Sequence, residues 1–196
     1  LLEALHRYDV GQVLYPPSEG ESSLYNEWVR FIREAGIKST IAQAGQHTDL
    51  GGGVTIEVLW PGVNPIKGSG SDMDNNSVVL LLKAGEVSFL LTGDSTSEAE
   101  WELIRLRADI KGTVIKVAHH GSNTSTIEQF LAVVNPRAAV ISVGANNTYE
   151  LPNNMVVERL QEKVGEANVY RTDINGTITF ITDGERLWVE EENDVQ

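Results

Sequence analysis

Phe89-Leu90-Leu91-Thr92-Gly93-Asp94 is an apolar run that stops at a glycine and a carboxylate, and Val114-Ile115-Lys116-Val117-Ala118-His119-His120-Gly121-Ser122 repeats that plan with a pair of imidazoles. Both runs have strand length, a branched or leucine-rich composition and a glycine just beyond, the marks of a buried strand. Each delivers polar groups at its C-terminal end. In layered α/β folds that is where side chains reach the crevice that holds a ligand.

Past the first run, Ser95 or Thr96 caps a helix that carries Ala99, Leu103, Ile104 and Leu106. A helix from about Thr126 to Val134 precedes a strand at Ala138 to Val143, and the loop Gly144 to Asn154 leads into a helix from Met155 to Val164. Strands near Val169, at Thr177 to Thr182 and at Leu187 to Val189 complete the chain, with Asn175-Gly176 and Asp183-Gly184 as turns. Upstream, Val78 to Lys83 and Val87 to Leu91 flank Ala84-Gly85-Glu86 as a hairpin. The stretch from Pro61 to Asn76 has no apolar period, and a loop of roughly sixteen residues is long enough to suggest function. Val54, Ile56 and Val58 alternate with polar neighbours as a half-buried strand. Near the start, Val13-Leu14-Tyr15 is a short strand, and a helix with Leu24, Trp28, Phe31 and Ile32 on one face ends at Gly36. Leu1, Leu2 and Leu5 read as a helix already in progress with no capping residue ahead of it, so the start is expected to be a cut. Strands alternating with helices, plus hairpins, predict a layered α/β architecture with a mixed sheet. No repeat or linker divides residues 1–196, which are expected to form a single domain.

The bulk composition is that of an ordinary globular protein, 41% apolar and 22% charged. No apolar run is long enough to span a bilayer. The absence of cysteine excludes disulfides, thiolate metal ligands and a cysteine nucleophile. A net charge of −13 argues against holding DNA by bulk electrostatics, although bound divalent cations reverse the sign locally. Part of that charge, Glu190, Glu191, Glu192 and Asp194, is expected in a terminal tail away from any site.

Asp74-Asn75-Asn76, Asp94 and His119-His120 all fall at the ends of apolar strands. Imidazole with carboxylate suits zinc, manganese or iron, and a carboxylate between two ions can bridge them. The plainer readings are a helix cap or turn for Asp94 and a hydrogen-bonded turn for the histidines. Adjacent residues of a strand point to opposite sides, so one histidine suffices as a ligand while the other orients substrate or supports the first. Ser122, Thr124, Ser125 and Thr126 form a hydroxyl-rich stretch before a helix start, fit either to bind a phosphate or to cap the helix. His6 and His47 lack acidic or histidine neighbours at ligand spacing and read as surface residues.

Phe89 to Asp94, Val114 to Ser122 and Ala139-Val140-Ile141-Ser142-Val143-Gly144, in that order and spacing, resemble the metallo-β-lactamase-like domain of ComEC-type DNA-uptake proteins and their free-standing relatives. Asp74 to Leu80, Tyr170-Arg171-Thr172-Asp173 and Asn175-Gly176-Thr177-Ile178 match as well, so the resemblance covers nearly the whole chain. It implies an αββα sandwich and a two-metal hydrolase of phosphodiesters, a nuclease acting on the DNA strand that is not taken up. By position, Asp94 would bridge the metals and His119 or His120 would bind the second ion. Asn76 lies near a histidine ligand of many relatives, where an amide would bind substrate or a water. The implied catalytic groups are thus His119, His120 and Asn76, with Ser122, Thr124 and Asn76 facing substrate. The implied cofactors are two divalent ions, zinc or manganese. The implied setting is a soluble domain tethered to a membrane protein, outside the cytoplasm.

The sequence departs from the family in three places. The His-x-His/Asp-x-Asp-His run of the superfamily is absent, so the chain is expected to be the C-terminal part of the domain and to hold catalytic metal weakly or not at all. Glu150-Leu151-Pro152 stands where the family has Gly-His-Pro, and Asn123 stands where it often has lysine. Each change makes the crevice less attractive to an anion. That leaves two alternatives to a nuclease: a non-catalytic remnant of the fold, and a hydrolase of a small ester or lactam.

Overall fold

A computed structural model describes residues 2–18, 20 and 22–192. The expectations placed on Leu1 and Asp194 lie outside the described residues. In chain order the elements are α1 (Leu2–Arg7), β1 (Gln12–Tyr15), α2 (Ser23–Glu34), β2 (Lys38–Ile41), β3 (His47–Gly51), β4 (Val54–Trp60), α3 (Asp72–Asn75), β5 (Val79–Ala84), β6 (Val87–Leu91) and α4 (Ser97–Arg105). They continue with β7 (Val114–Lys116), a 3-10 turn (Ala118–Gly121), α5 (Glu128–Val134), β8 (Ala138–Ile141), α6 (Asn154–Val164), β9 (Val169–Arg171), α7 (Thr172–Asn175), β10 (Ile178–Thr182) and β11 (Leu187–Glu191).

Seven strands form one mixed sheet in the order β3-β4-β5-β6-β7-β8-β9. From β3 to β6 the strands pair antiparallel, and from β6 to β9 they pair parallel. Parallel pairing requires a crossover, and α4, α5 and α6 supply the three crossovers. Alternation along each strand then sorts the side chains by face. Val79, Leu81, Leu90, Ile115, Val117, Ala139 and Ile141 form one buried cluster with Ala99, Leu103, Phe130, Leu131, Val134, Val156 and Leu160 of the helices. Fully burying one such leucine or phenylalanine is worth roughly 1.5–3 kcal/mol, so this layer fixes the register of the parallel strands.

The β10–β11 hairpin packs on the sheet through aromatic rings. Phe180 meets Phe89 and Tyr170 edge to face, with ring centroids 5.9 and 5.7 Å apart. The hairpin turn docks on the β5–β6 turn, where the Glu86 N–H donates to Gly184 O at 2.6 Å. A separate parallel pair, β1 with β2, brackets α2. The segment after β2 joins the main sheet through Gln46, whose carbonyl accepts the Val58 N–H at 2.9 Å.

The expected loop from Pro61 to Asn76 carries the short helix α3 near its end. The helix expected from Thr126 starts at Glu128, because Thr126 has φ 57 and cannot lie in a right-handed turn. The acidic tail is a correction. Glu190 and Glu191 belong to β11, the Asn175 amide donates to the Glu191 carboxylate, and Glu192 accepts from the Thr177 N–H and hydroxyl at 2.9 and 2.7 Å.

Gly85 has φ 59, and a Cβ there would stand 2.4 Å from Gly184 O. Gly85→Ala is therefore expected to lift the hairpin off the sheet and cost more than about 1 kcal/mol, read as a lower midpoint in urea denaturation. An unchanged midpoint would show that the two turns do not support each other.

Candidate functional site

The parallel register places the carboxyl ends of β6, β7 and β8 side by side: Leu91 pairs with Lys116, and Lys116 with Val140. The residues just beyond these ends form the site. After β6 the chain turns at Gly93 (φ 57), where an added Cβ would touch Ser77 Cβ at 3.0 Å. The Asp94 N–H donates to Ser77 Oγ at 3.2 Å. The carbonyl of Gly93 accepts from the His119 N–H at 3.1 Å and from Lys116 Nζ at 3.3 Å. The Thr92 hydroxyl donates to the Lys116 carbonyl at 2.5 Å, so the Thr92-Gly93-Asp94 corner is bonded to β7 from both sides. Burial lowers the pKa of Lys116, and the nearby Asp94 carboxylate opposes that shift.

After β7 the backbone leaves the strand region altogether. His119 (φ 48, ψ 43), His120 (φ 54, ψ 24) and Gly121 (φ 83) are three successive left-handed residues. The first two carry side chains, and each such residue costs on the order of 1 kcal/mol or more. The expectation that the histidines alternate across a strand is corrected: they lie on a tight turn beyond it. The turn is clamped by the Ser122 N–H donating to His119 O at 2.9 Å and the Asn153 N–H donating to Gly121 O at 2.9 Å. Gly121 is required here, since a Cβ would stand 2.5 Å from Pro152 Cβ.

This turn brings His120 against Asp94. His120 Nδ1 lies 2.6 Å from the carbonyl oxygen of Ser142, and a carbonyl can only accept, so Nδ1 carries the proton. In the neutral ring Nε2 then presents its lone pair, 3.5 Å from Asp94 Oδ1. Two electron-rich atoms that close call for a cation between them, either a proton or a metal. An ion with tetrahedral bonds of about 2.0–2.1 Å holds neighbouring donors roughly 3.3 Å apart, so the pair fits as two ligands of one ion. Both side chains are half exposed, 45% for His120 and 44% for Asp94, as an open metal position requires. The His119 Nδ1 is buried with no hydrogen-bond partner among the described residues. Among the described residues no three His, Asp or Glu side chains converge to hold an ion.

The other expected site residues differ in what they are free to bind. Asn76 is buried, 2% exposed, and its amide staples the long loop: it donates to the carbonyls of Ile66 and Asp72 at 2.7 Å each and accepts the Ile66 N–H at 2.9 Å. No donor is left for a substrate. Ser122 and Thr124 lie on the rim just past the histidine turn, their hydroxyls 2.9 Å apart. Leu151 packs against the core, with its N–H and carbonyl both held by the Asn147 side chain. Glu150 and Asn123 are exposed.

The helix start beyond Ser122 is already taken by a buried carboxyl group. Glu100, fully buried on α4, accepts the Thr126 N–H at 2.5 Å and the Ile127 N–H at 2.9 Å, while Arg159 donates to Thr126 O at 2.7 Å. The amides at which a bound phosphate is one of two expectations are therefore satisfied by this carboxylate. Burial pushes the Glu100 pKa up to about 7, against the pull of the two amides and of Arg159.

No family model matches the chain. It is 43% identical over 107 residues to ComE operon protein 3 of Bacillus subtilis (strain 168), covering 55% of this chain and 14% of that one. It is 33% identical over 127 residues to competence protein ComA of Neisseria gonorrhoeae, covering 62% of this chain and 18% of that one. Among solved structures it is similar to the CmlA beta-hydroxylase E377D mutant, a metallo-β-lactamase-fold protein, with TM-score 0.54 and 14% identity over 87% of this chain and 39% of that one. The chain thus shares the metallo-β-lactamase fold and, over 55–62% of its length, is similar in sequence to competence proteins. The matched part spans about a seventh of the length of the first relative. No helix among the described residues is long and apolar enough to cross a membrane.

A carboxyl group with a raised folded pKa contributes most to stability below its unfolded value of 4.5 and loses that contribution as pH rises through about 7. Unfolding free energy is therefore expected to fall by a few kcal/mol between those pH values, on the order of 1.4 kcal/mol for each tenfold difference in proton affinity. In Glu100→Gln that slope should flatten. Denaturant titrations at several pH values read it, and equal slopes in the two proteins would reject the assignment to Glu100.

Proposed function

We propose that this domain supplies Asp94 and His120 to a two-metal centre that hydrolyses phosphodiesters, with DNA as the substrate. The observation that carries the reading is the 3.5 Å approach of an oriented imidazole lone pair to a carboxylate at the carboxyl ends of two parallel strands. Bound divalent ions, zinc or manganese, would supply a hydroxide nucleophile and neutralise charge on the phosphoryl oxygens. Of the chain's own groups, Asp94 and His120 Nε2 would hold the ions, while the Ser142 carbonyl fixes the orientation of the His120 ring. His119 lines the same turn, and the Ser122 and Thr124 hydroxyls face an incoming phosphate at the rim. Asn76 has no part in the chemistry, because its donors are spent on the loop. The competence relatives favour DNA uptake as the setting, and the family resemblance adds a position tethered at a membrane, on the outer face.

A second reading, a non-catalytic remnant of the fold, is favoured by the absence of a third converging donor among the described residues and by Leu151 packing into the core. One experiment separates the two. The longest natural chain containing this domain is assayed for manganese-dependent cleavage of labelled DNA, with Asp94→Ala and His120→Ala alongside. The nuclease reading expects cleavage that falls at least about 100-fold in each variant. Cleavage at the same rate in Asp94→Ala would sink the mechanism, and none in the parent would favour the remnant.

A further inference from the structure

The His120 ring is aimed by a peptide group that is itself held from behind. The strand β8 ends at Ile141, paired with Arg171, and there the backbone ladder to β9 stops. At the next step a side chain replaces it. The Val143 N–H donates to Thr172 Oγ1 at 2.8 Å, and the Thr172 hydroxyl donates to Val143 O at 2.7 Å. The Val143 N–H and the Ser142 carbonyl belong to one planar trans peptide unit, so they point in opposite directions and rotate together. One end of that unit is bonded to Thr172 and the other to His120 Nδ1.

We propose that Thr172 is a positioning residue for His120: by holding the Ser142–Val143 peptide through its N–H, it keeps the Ser142 carbonyl on Nδ1 and so keeps Nε2 unprotonated and facing Asp94. Two features support the relay over a purely structural role. Hydrogen bonds in series polarise one another, so a donor bond at the N–H strengthens the carbonyl as an acceptor. Moreover, Ser142 is exposed, so with the N–H released the peptide would be free to turn and exchange His120 for water. Thr172 acts on the site wholly through His120. The purpose of the relay, though not its existence, rests on the reading of Asp94 and His120 as a ligand pair.

The test is nitrogen-15 NMR of the imidazole rings at a pH where they are neutral, in the parent chain, Thr172→Val, Thr172→Ser and Thr172→Ala. His6 and His47, far from the relay in sequence, serve as internal standards. The parent is expected to hold His120 in the Nδ1–H form. Thr172→Val, which keeps the shape and removes the hydroxyl, should lower the ratio of Nδ1–H to Nε2–H forms at least about five-fold, the value of one ordinary hydrogen bond. Thr172→Ser should restore the parent ratio, and Thr172→Ala stands in for the valine variant if that chain does not fold. A folded Thr172→Val or Thr172→Ala with the parent ratio overturns the relay, as does a serine variant displaced as far as valine. Manganese added to the parent chain is then expected to broaden the His120 and Asp94 signals first. If it does not, the ligand-pair reading fails, and the tautomer ratio still decides the relay.

Discussion

Everything at the site depends on the in-register parallel pairing of β6, β7 and β8. Backbone hydrogen bonds between these strands bring three chain segments to one edge, and the helices packed against them keep them from slipping. A slip of one residue would turn Asp94 and the histidine turn toward opposite sides of the sheet. The core formed by Leu90, Ile115, Ile141 and the helix leucines is therefore a positional constraint as much as a source of stability. The site inherits its precision from the most deeply buried part of the molecule.

Two costs are accepted near that edge. The histidine turn holds two non-glycine residues in the left-handed region, and α4 buries a carboxylate. Both persist because their surroundings over-determine them: Gly121 is pinned by Asn153, and Glu100 is met by two amides with Arg159 close by. The histidines and the amides that meet Glu100 also lie toward opposite ends of one segment, Ala118 to Ile127. The Ser125 hydroxyl secures that segment by donating to the Ala118 carbonyl at 3.1 Å. Strain at one end is thus balanced by bonding along the whole segment rather than at the histidines alone.

Much of this is legible in the residues. Apolar runs ending in Thr92-Gly93-Asp94 and His119-His120-Gly121 announce strands with polar tips, and the Ala84-Gly85-Glu86 turn announces a hairpin. The features that no local pattern announces depend on partners far along the chain. Glu100 has no local mark in the sequence, because the amides it accepts lie 26 and 27 residues away. Thr172 stands out only as part of the Tyr170-Arg171-Thr172-Asp173 match, since its partner is 29 residues upstream. Asn76 shows the opposite failure: a polar residue near a strand start suggests chemistry, but its bonds are to the loop ten and four residues before it. The choice between His119 and His120 needs backbone angles, because no pattern of side chains signals that both are left-handed.

The change of pairing mode at β6 has a bearing on how the molecule assembles. The meander from β3 to β6 joins strands that are neighbours in the chain without an intervening crossover, whereas each parallel pair beyond it must first span a helix. The antiparallel and parallel halves of the sheet therefore meet at one strand, and Asp94 stands just beyond its end. The edge that carries Asp94 and His120 comes into being only when the parallel half has docked on β6. A chain caught before that moment would have an ordered antiparallel sheet and no site.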